Sequence, residues 1–201
     1  MTPTPRILAA LTVAMAICAG SGLVWAKSPA NKADEPVLMV SMPVEKAGNG
    51  VKSIQAHTLI AAPPGFVWQR LTDYDDMPVV LPGYQKSEVS YQGKAKMLDV
   101  AQKVSRLLPT YRYRVQLYEN PAQRQLRFTR VSGDFKSLTA SYKLLPRNGG
   151  KETLVVYELN IDPGSRLPGA GNIIRDNTHE TLSAFRSHVE GAYQRSVIGK
   201  N

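Results

Sequence analysis

The middle of the chain consists of six successive segments in which apolar and polar residues alternate. In the clearest of them, Tyr111, Tyr113 and Val115 alternate with Arg112 and Arg114. Successive side chains of a β-strand point to opposite faces, so this pattern is typical of strands with one buried face. Gly, Asn and Pro residues fill the short gaps, which favours hairpins and an antiparallel order. The predicted strands are residues 84–92, 95–107, 111–119, 124–132, 135–145 and 153–162.

One more strand and two helices frame this series. Residues 51–62 predict a first strand, and Pro63-Pro64-Gly65 ends it and opens a short helix that runs through Leu71. Proline is tolerated in a first helical turn because the N–H it lacks would have had no partner there. Near the other end, Asn172 is a suitable N-cap for a long helix to about Ser196. The apolar stripe of that helix comprises Ile174, Thr178, Leu182, Phe185, Val189 and Ala192.

The order of these elements predicts an α+β fold with a curved, antiparallel, seven-stranded sheet around the long C-terminal helix. One face of the sheet must be buried, and the terminal helix is the only predicted element long enough to bury it. One helix cannot fill the concave surface of seven strands. The sequence therefore predicts a cavity between the sheet and the helix.

The first 26 residues have the pattern of a secretory signal peptide. Arg6 precedes an apolar run, and Val24-Trp25-Ala26 forms a small-residue cleavage site before Lys27. Thr12 and several glycines interrupt the run, which falls short of the roughly 20 apolar residues that span a bilayer. We expect cleavage and export to the periplasm, with a retained membrane anchor as the alternative. Cleavage would also remove the single cysteine, so packing alone would stabilise the mature chain.

Three regions follow from this pattern: a signal peptide over residues 1–26, a flexible segment over 27–50, and one domain over 51–198. The flexible segment mixes Pro, Gly, Ala and charged residues without periodicity, with a short extended piece around residues 37–40.

Positive charge is concentrated in the strands. The chain has 25 Lys and Arg against 16 Asp and Glu, a net charge of +9. Residues 94–147 alone hold 12 basic and 3 acidic residues, and 12 − 3 = +9. Such a field attracts anionic surfaces, and for an exported protein phospholipid headgroups or acidic polymers are better partners than nucleic acid. The alternative is that these residues only solvate the strand faces.

The sequence predicts no metal site and no cofactor. Asp73, Asp75 and Asp76 lack the glycine and the distal glutamate of a calcium loop, which favours a structural turn. His179 and His188 are nine residues apart and lie on roughly opposed sides of one helix. With His57 they are the only histidines, and no cysteine is available to complete a zinc site.

No complete catalytic motif is present either. A nucleophile elbow of the G-x-S-x-G type is absent, and the glycine-rich loop over residues 164–171 lacks the Lys-Ser/Thr end of a phosphate loop. Asp176 and His179 have the spacing of a helix-surface pair, which is more common than a catalytic dyad. Catalytic residues are therefore not predicted.

Several segments resemble a known family. The stretch over residues 61–78, which contains Leu71-Thr-Asp-Tyr-Asp-Asp-Met-Pro, and residues 81–87 are similar to the first helix and following turn of START-like (Bet v 1-like, SRPBCC) domains. The nearest branch is the polyketide cyclase/dehydrase and coenzyme Q-binding type. Gly133-Asp-Phe-Lys, the strand at Ser141-Tyr-Lys-Leu-Leu-Pro and the closing helix match in order, so the resemblance extends from about Ser53 to Tyr193.

This resemblance implies a helix-grip fold with a deep apolar cavity between the sheet and the C-terminal helix. Members of the family carry lipids, sterols, quinones or polyketides, and a minority are enzymes. The resemblance also implies that the loop before the last helix is a lid, with Arg166 and Leu167 near the cavity mouth. A fold does not determine a function, so this step is an analogy.

The predicted ligand-binding residues are of three kinds. Arg130 shares strand parity with Phe128, and Glu158 lies in the apolar last strand, so either would need a partner or the polar end of a ligand if it faced the cavity. Strand bulges would instead turn both outward. Arg166 and Leu167 belong to the lid. The aromatic candidates are Trp68, Tyr111, Tyr113, Phe128, Tyr142, Tyr157 and Phe185.

The sequence thus favours an exported carrier of a hydrophobic, lipid-like molecule (a lipid, sterol or quinone) that contacts an anionic membrane transiently. One alternative is a cyclase- or dehydratase-type enzyme that acts on an apolar substrate in the same cavity. The other is an envelope interaction module whose cavity is filled by its own side chains. The sequence leaves the oligomeric state and the identity of the ligand open.

Overall fold

A computed structural model describes residues 38–41, 44–45, 50–106, 108–164 and 170–199. All of them belong to one compact unit, Pro36–Asn201. The predictions for the signal peptide, for most of residues 27–50 and for the lid residues Arg166 and Leu167 lie outside the described residues. Within the described part of the chain, no helix is long and apolar enough to cross a bilayer.

The strands of the described residues form one antiparallel sheet in the order β1-β3-β9-β8-β7-β6-β5-β4, and β2 also pairs with β3. The seven long strands, β3 to β9, confirm the predicted series, and β1 coincides with the extended piece predicted around residues 37–40. The bounds are Leu38–Val40 (β1), Val44–Glu45 (β2), Lys52–Ile60 (β3), Tyr84–Gln92 (β4), Ala95–Gln102 (β5), Tyr111–Asn120 (β6), Gln125–Gly133 (β7), Ser137–Arg147 (β8) and Glu152–Asp162 (β9).

Among the described residues, three α-helices accompany the sheet. The first, α1, is Pro64–Leu71, with Pro63 as its N-cap and a proline in its first turn as predicted. A short helix that the sequence did not indicate, α2, spans Met77–Val80. The long closing helix, α3, spans Ala170–Ile198. It begins before Asn172, so the predicted N-cap role of Asn172 is wrong.

The largest boundary error is at the end of β5, which was predicted to reach residue 107 but ends at Gln102. The Lys103 N–H donates to the Gly83 carbonyl at 2.7 Å, which ties the chain to the turn before β4. Gly83 has φ +79, and a Cβ there would lie 2.3 Å from the Lys103 carbonyl oxygen. This close contact diverts the chain from the sheet, so that the apolar residues after Gln102 belong to a connection.

The core lies between the inner face of the sheet and α3. On β6, Tyr113, Val115 and Leu117 are buried, whereas Arg112 is exposed, as the alternation predicts. From α3, Leu182, Phe185 and Val189 are buried against the sheet and α1. Burying one such side chain contributes roughly 1.5–3 kcal/mol to stability, so this stripe holds the helix on the sheet.

Candidate ligand-binding site

Two adjoining chambers lie between the concave face of the sheet and α3. The first chamber has a volume of about 90 Å³ and the second about 70 Å³. Residues from β4 to β9 and the N-terminal half of α3 surround the first chamber. The second chamber is bounded by α1, α2, the middle strands and α3. The cavity that the geometry of one helix on seven strands predicts is therefore present in two parts.

Six residues line both chambers and form a wall between them, which we call the shared wall. They come from four strands, β4, β6, β7 and β8, and from α3. The shared wall consists of Tyr84, Tyr113, Phe128, Tyr142, Thr181 and Leu182.

The first chamber is apolar with scattered neutral polar groups. Among the described residues, those that line it include no Lys, Arg, His, Asp or Glu. The polar side chains among them are tyrosines, threonines, Gln102 and Asn177. A few neutral polar groups in an apolar wall fix the orientation of a ligand without requiring that the ligand be charged.

Buried tyrosines give the chambers most of their hydroxyl groups. Burial raises the pKa of Tyr84 and raises the pKa values of Tyr113 and Tyr142 well above their ordinary value of 10.0. Burial raises the pKa of Tyr157 in the same way. Tyr84 interacts with Tyr113, and Tyr142 with Tyr157, by side-chain hydrogen bonds. All four hydroxyls are therefore protonated at neutral pH and can donate hydrogen bonds.

A hydrogen-bonded chain crosses from the sheet to the helix at the first chamber. The Tyr113 hydroxyl donates to Gln102 Oε1 at 2.9 Å, and Gln102 Nε2 donates to Asn177 Oδ1 at 3.2 Å. Gln102 is buried, so both ends of its amide need these partners. The chain fixes the position of Tyr113 and ties β5 and β6 to α3.

The second chamber differs from the first because charged side chains line part of it. Arg70, Asp73, Asp76 and His188 are among its lining residues. Arg70 and Asp73 form an ion pair at 3.8 Å, and both side chains are more than one-third exposed. Arg70 and Asp73 therefore lie toward solvent, whereas Asp76 and His188 are half-buried.

The acidic turn at residues 73–76 is fastened to the sheet. The Tyr74 hydroxyl donates to Glu119 Oε1 at 2.7 Å, and Lys96 Nζ lies 2.7 Å from the same oxygen and 4.7 Å from the centre of the Tyr74 ring. Burial, together with the bond to Glu119, raises the pKa of Tyr74. Among the described residues, no group of three or more His, Cys, Asp or Glu side chains could hold a metal ion.

The structure brings most of the predicted aromatic residues to the chambers. Tyr111, Tyr113, Phe128, Tyr142 and Tyr157 line the first chamber. Phe185 lines the second chamber. Trp68 lies outside both sets of lining residues and packs against both clusters of the core. Their contact with a ligand stays a prediction.

The two predicted polar residues do not line either chamber. Glu158 is exposed, because its neighbours Tyr157 and Leu159 take the inward positions of β9. The Arg130 guanidinium donates to the Gly133 carbonyl at 2.9 Å, beside an irregularity in the pairing of β6 with β7. The irregular pairing beside Arg130 is the kind of strand irregularity that the sequence analysis gave as the alternative. The outward position of Glu158 has another cause, because alternation along β9 is regular there.

Sequence reasoning missed many lining residues, among them the polar residues Tyr84, Gln102, Asn177 and Thr181. Asn177 and Thr181 are four residues apart on α3, on the same side as the predicted stripe. The sequence signal for these two residues was their polar side chains beside the apolar stripe of α3. For Gln102 no signal existed, since a polar residue at an inward strand position is read as a break in the pattern.

A family model described as "Polyketide cyclase / dehydrase and lipid transport" matches residues 60–186. No curated protein matches the chain significantly in sequence.

Solved structures share the fold of this chain at low identity. One is the Zhui aromatase/cyclase from a Streptomyces species, with a TM-score of 0.60 and 15% identity over 73% of this chain and 96% of that one. Another is a protein from Thermus thermophilus, with a TM-score of 0.62 and 20% identity over 70% and 98%. A START superfamily protein from Mycobacterium smegmatis has a TM-score of 0.57 and 18% identity over 71% and 97%. At these identities the likeness shows the fold alone.

Proposed function

The chain belongs to the polyketide cyclase/dehydrase and lipid transport family, within the START/Bet v 1 (SRPBCC) superfamily that its sequence predicted, and on that premise we propose that it is an exported carrier of a hydrophobic, lipid-like molecule. Members of this superfamily generally bind hydrophobic small molecules, and the family and fold are consistent with a ligand-binding or a cyclase-type protein. The carrier function and export are the proposal.

The chemical character of the first chamber carries this proposal. Its lining is apolar apart from neutral hydroxyl and amide groups, several of which already bond to one another. An ionised ligand group placed there would lose its hydration without gaining an opposite charge, which costs several kcal/mol. The chamber therefore favours a neutral, largely apolar molecule.

Native mass spectrometry on protein purified from the envelope of its own cells tests the carrier proposal. We expect a defined apolar molecule to leave with the protein and to be recovered by solvent extraction. Protein that is empty, and that also fails to take up fluorescent lipids, would contradict the carrier function and favour the interaction module.

A pair of variants on α3 tests whether the cargo binds in the first chamber. Ile174 is half-buried and lines the chamber, so Ile174→Trp fills part of it. Asn172 is exposed on the same helix, so Asn172→Trp adds the same ring outside. We expect the first variant to lose the bound molecule and the second to keep it. Equal loading of both would place the cargo elsewhere.

Export rests on the N-terminal sequence pattern. Amino-terminal sequencing of the protein recovered from the periplasm should begin at Lys27. Recovery of uncleaved chain in the membrane fraction would support the anchor instead.

Transient docking on an anionic membrane is supported by the outer face of the sheet. Arg112 and Lys143 are exposed on β6 and β8, next to inward-facing neighbours, and each basic residue near such a surface contributes about 1 kcal/mol. We expect Arg112→Glu/Lys143→Glu to reduce sedimentation with phosphatidylglycerol vesicles at low salt. The control Lys151→Glu/Arg195→Glu makes the same charge change at exposed residues off that face. Equal losses of vesicle binding in the two double variants would mean that binding depends on net charge and not on this face of the sheet.

A cyclase- or dehydratase-type activity is the second candidate, and the four protonated tyrosine hydroxyls in the chamber walls favour it. Such neutral groups can position a substrate and polarise a carbonyl by donating hydrogen bonds. A molecule that elutes chemically changed after incubation with wild-type protein, but unchanged with Tyr142→Phe, would support this reading.

A further inference from the structure

Thr181 differs from its neighbour Thr178 in how its hydroxyl is bonded. Both lie on the buried side of α3. The Thr178 hydroxyl donates to the Ile174 carbonyl one turn earlier, at 2.8 Å. Thr181 is only 9% exposed, and its hydroxyl oxygen has no hydrogen-bond partner among the described residues. A buried polar group of this kind destabilises the fold, so its presence points to a ligand that completes it.

The position of Thr181 says which part of a ligand it would meet. Thr181 belongs to the shared wall, with one chamber on each side. The other polar members of that wall are the tyrosines Tyr84, Tyr113 and Tyr142. A molecule that occupies both chambers must pass this wall, so its middle lies beside Thr181 and its ends lie in the chambers.

The charges of the residues near Thr181 indicate the chemical class of this middle part of the ligand. Three tyrosines, Tyr84, Tyr113 and Tyr142, line both chambers together with Thr181, and none of the described residues that line the first chamber is charged. An oxygen that only accepts hydrogen bonds suits a site rich in hydroxyl donors. On the side of the first chamber, a carboxylate would be buried among described residues that offer no opposite charge.

We propose that Thr181 donates a hydrogen bond to a neutral carbonyl or ether oxygen in the middle of the ligand, whose two apolar arms occupy the two chambers. This inference rests on the proposed function, because it names the class of molecule that the same cavity takes.

Benzophenone and diphenylmethane form a matched pair of probes. Both have two phenyl arms, and only benzophenone has a carbonyl between them. Each is titrated against protein loaded with the neutral fluorophore N-phenyl-1-naphthylamine, and displacement of the fluorophore is measured. We expect wild-type protein to bind benzophenone about tenfold more tightly than diphenylmethane, the difference that one hydrogen bond provides.

Two variants assign this preference to one hydroxyl. Thr181→Val keeps the side-chain shape and should bind the two probes equally, with an unfolding temperature no lower than that of wild type, because it removes an unbonded hydroxyl. Thr178→Val removes a hydroxyl that the helix already uses and should keep the tenfold preference. A preference that persists in Thr181→Val, or equal binding of the two probes by wild type, would overturn the inference and leave the carrier proposal standing. Failure of wild type to bind the fluorophore or either probe would contradict the carrier proposal itself.

Discussion

Two side-chain pairs join β5 to β6 on opposite faces of the sheet. On the inner face, Tyr113 donates to Gln102 at 2.9 Å, and both residues are buried. On the outer face, Arg114 holds Asp99 through two bonds of 2.7 Å, with the side chains 43% and 31% exposed. Although the outer pair is charged and doubly bonded, water can replace its bonds. The burial of a pair therefore matters more to stability than its charge.

The largest effect should come from placing a charge on the inner face. Val115 is 1% exposed, and Val115→Asp would bury a carboxylate without a partner, at a cost of about 4 kcal/mol or more. Gln116→Asp places the same group one residue further on, on the outer face, and should change stability by less than about 0.5 kcal/mol. Urea denaturation measures both. Similar losses in the two variants would mean that β6 does not separate a buried face from a solvated one.

High pH should have the second-largest effect on stability, through the buried tyrosines of the inner face. Burial raises the pKa values of Tyr113, Tyr142 and Tyr157 above their ordinary value of 10.0. The unfolded chain loses these protons near pH 10 whereas the folded chain keeps them. Their stabilising contribution is therefore complete below about pH 10 and is lost as the pH rises toward the folded pKa values, by about 1.4 kcal/mol per pH unit for each tyrosine.

Denaturation curves at about pH 9, 10 and 11 measure this loss, and absorbance at the tyrosinate band shows when the buried rings ionise. The variant Tyr142→Phe should lessen the fall above pH 10 by the contribution of one tyrosine. An unchanged free energy of unfolding between pH 9 and 11 would contradict the burial of these hydroxyls.

Removal of the inner hydrogen bond should have an intermediate effect. Tyr113→Phe keeps the ring but leaves Gln102 Oε1 buried without its donor, which we expect to cost about 1–3 kcal/mol. Tyr118→Phe is the control, because Tyr118 lies on the same strand with its side chain exposed. A Tyr113→Phe protein as stable as this control would mean that another group supplies the missing donor.

The outer ion pair should matter least. Asp99→Asn removes the charge from a partly exposed pair and should cost about 0.2–1 kcal/mol, with a smaller difference from wild type in high salt. Thermal unfolding at low and high salt measures it. A loss of stability as large as that of Tyr113→Phe would mean that the outer pair contributes as much to stability as the inner pair.

The sequence predicted the two faces correctly wherever alternation is regular. Along β6, Tyr113, Val115 and Leu117 are buried, whereas Arg112 is exposed and Arg114 is half-buried, as the period of two requires. The pattern fails where tertiary contacts interrupt a strand. Arg130 has the parity of Phe128, yet it lies beside an irregular step in the pairing with β6, where sequence parity no longer assigns a face.

The residues that line the two chambers were predicted only in part. The aromatic residues of the inner face were found because aromatic and alternating positions coincide in the sequence. Thr181 and Gln102 were missed, since each is a polar residue whose meaning depends on which neighbours surround it. The short helix α2 was missed because four residues around a proline have too little pattern to distinguish a helix from a turn.

The sequence by itself determined the order of the long strands and the buried stripe of α3, because side-chain periodicity and local turns are properties of neighbouring residues. The resemblance of several segments to a known family indicated the family. Only the tertiary structure decided that the cavity has two chambers, that tyrosines from separate strands meet in one wall, and that the hydroxyl of Thr181 lacks a partner among the described residues. These features depend on the curvature of the sheet and on the distance between elements far apart in the chain, and no local pattern encodes either.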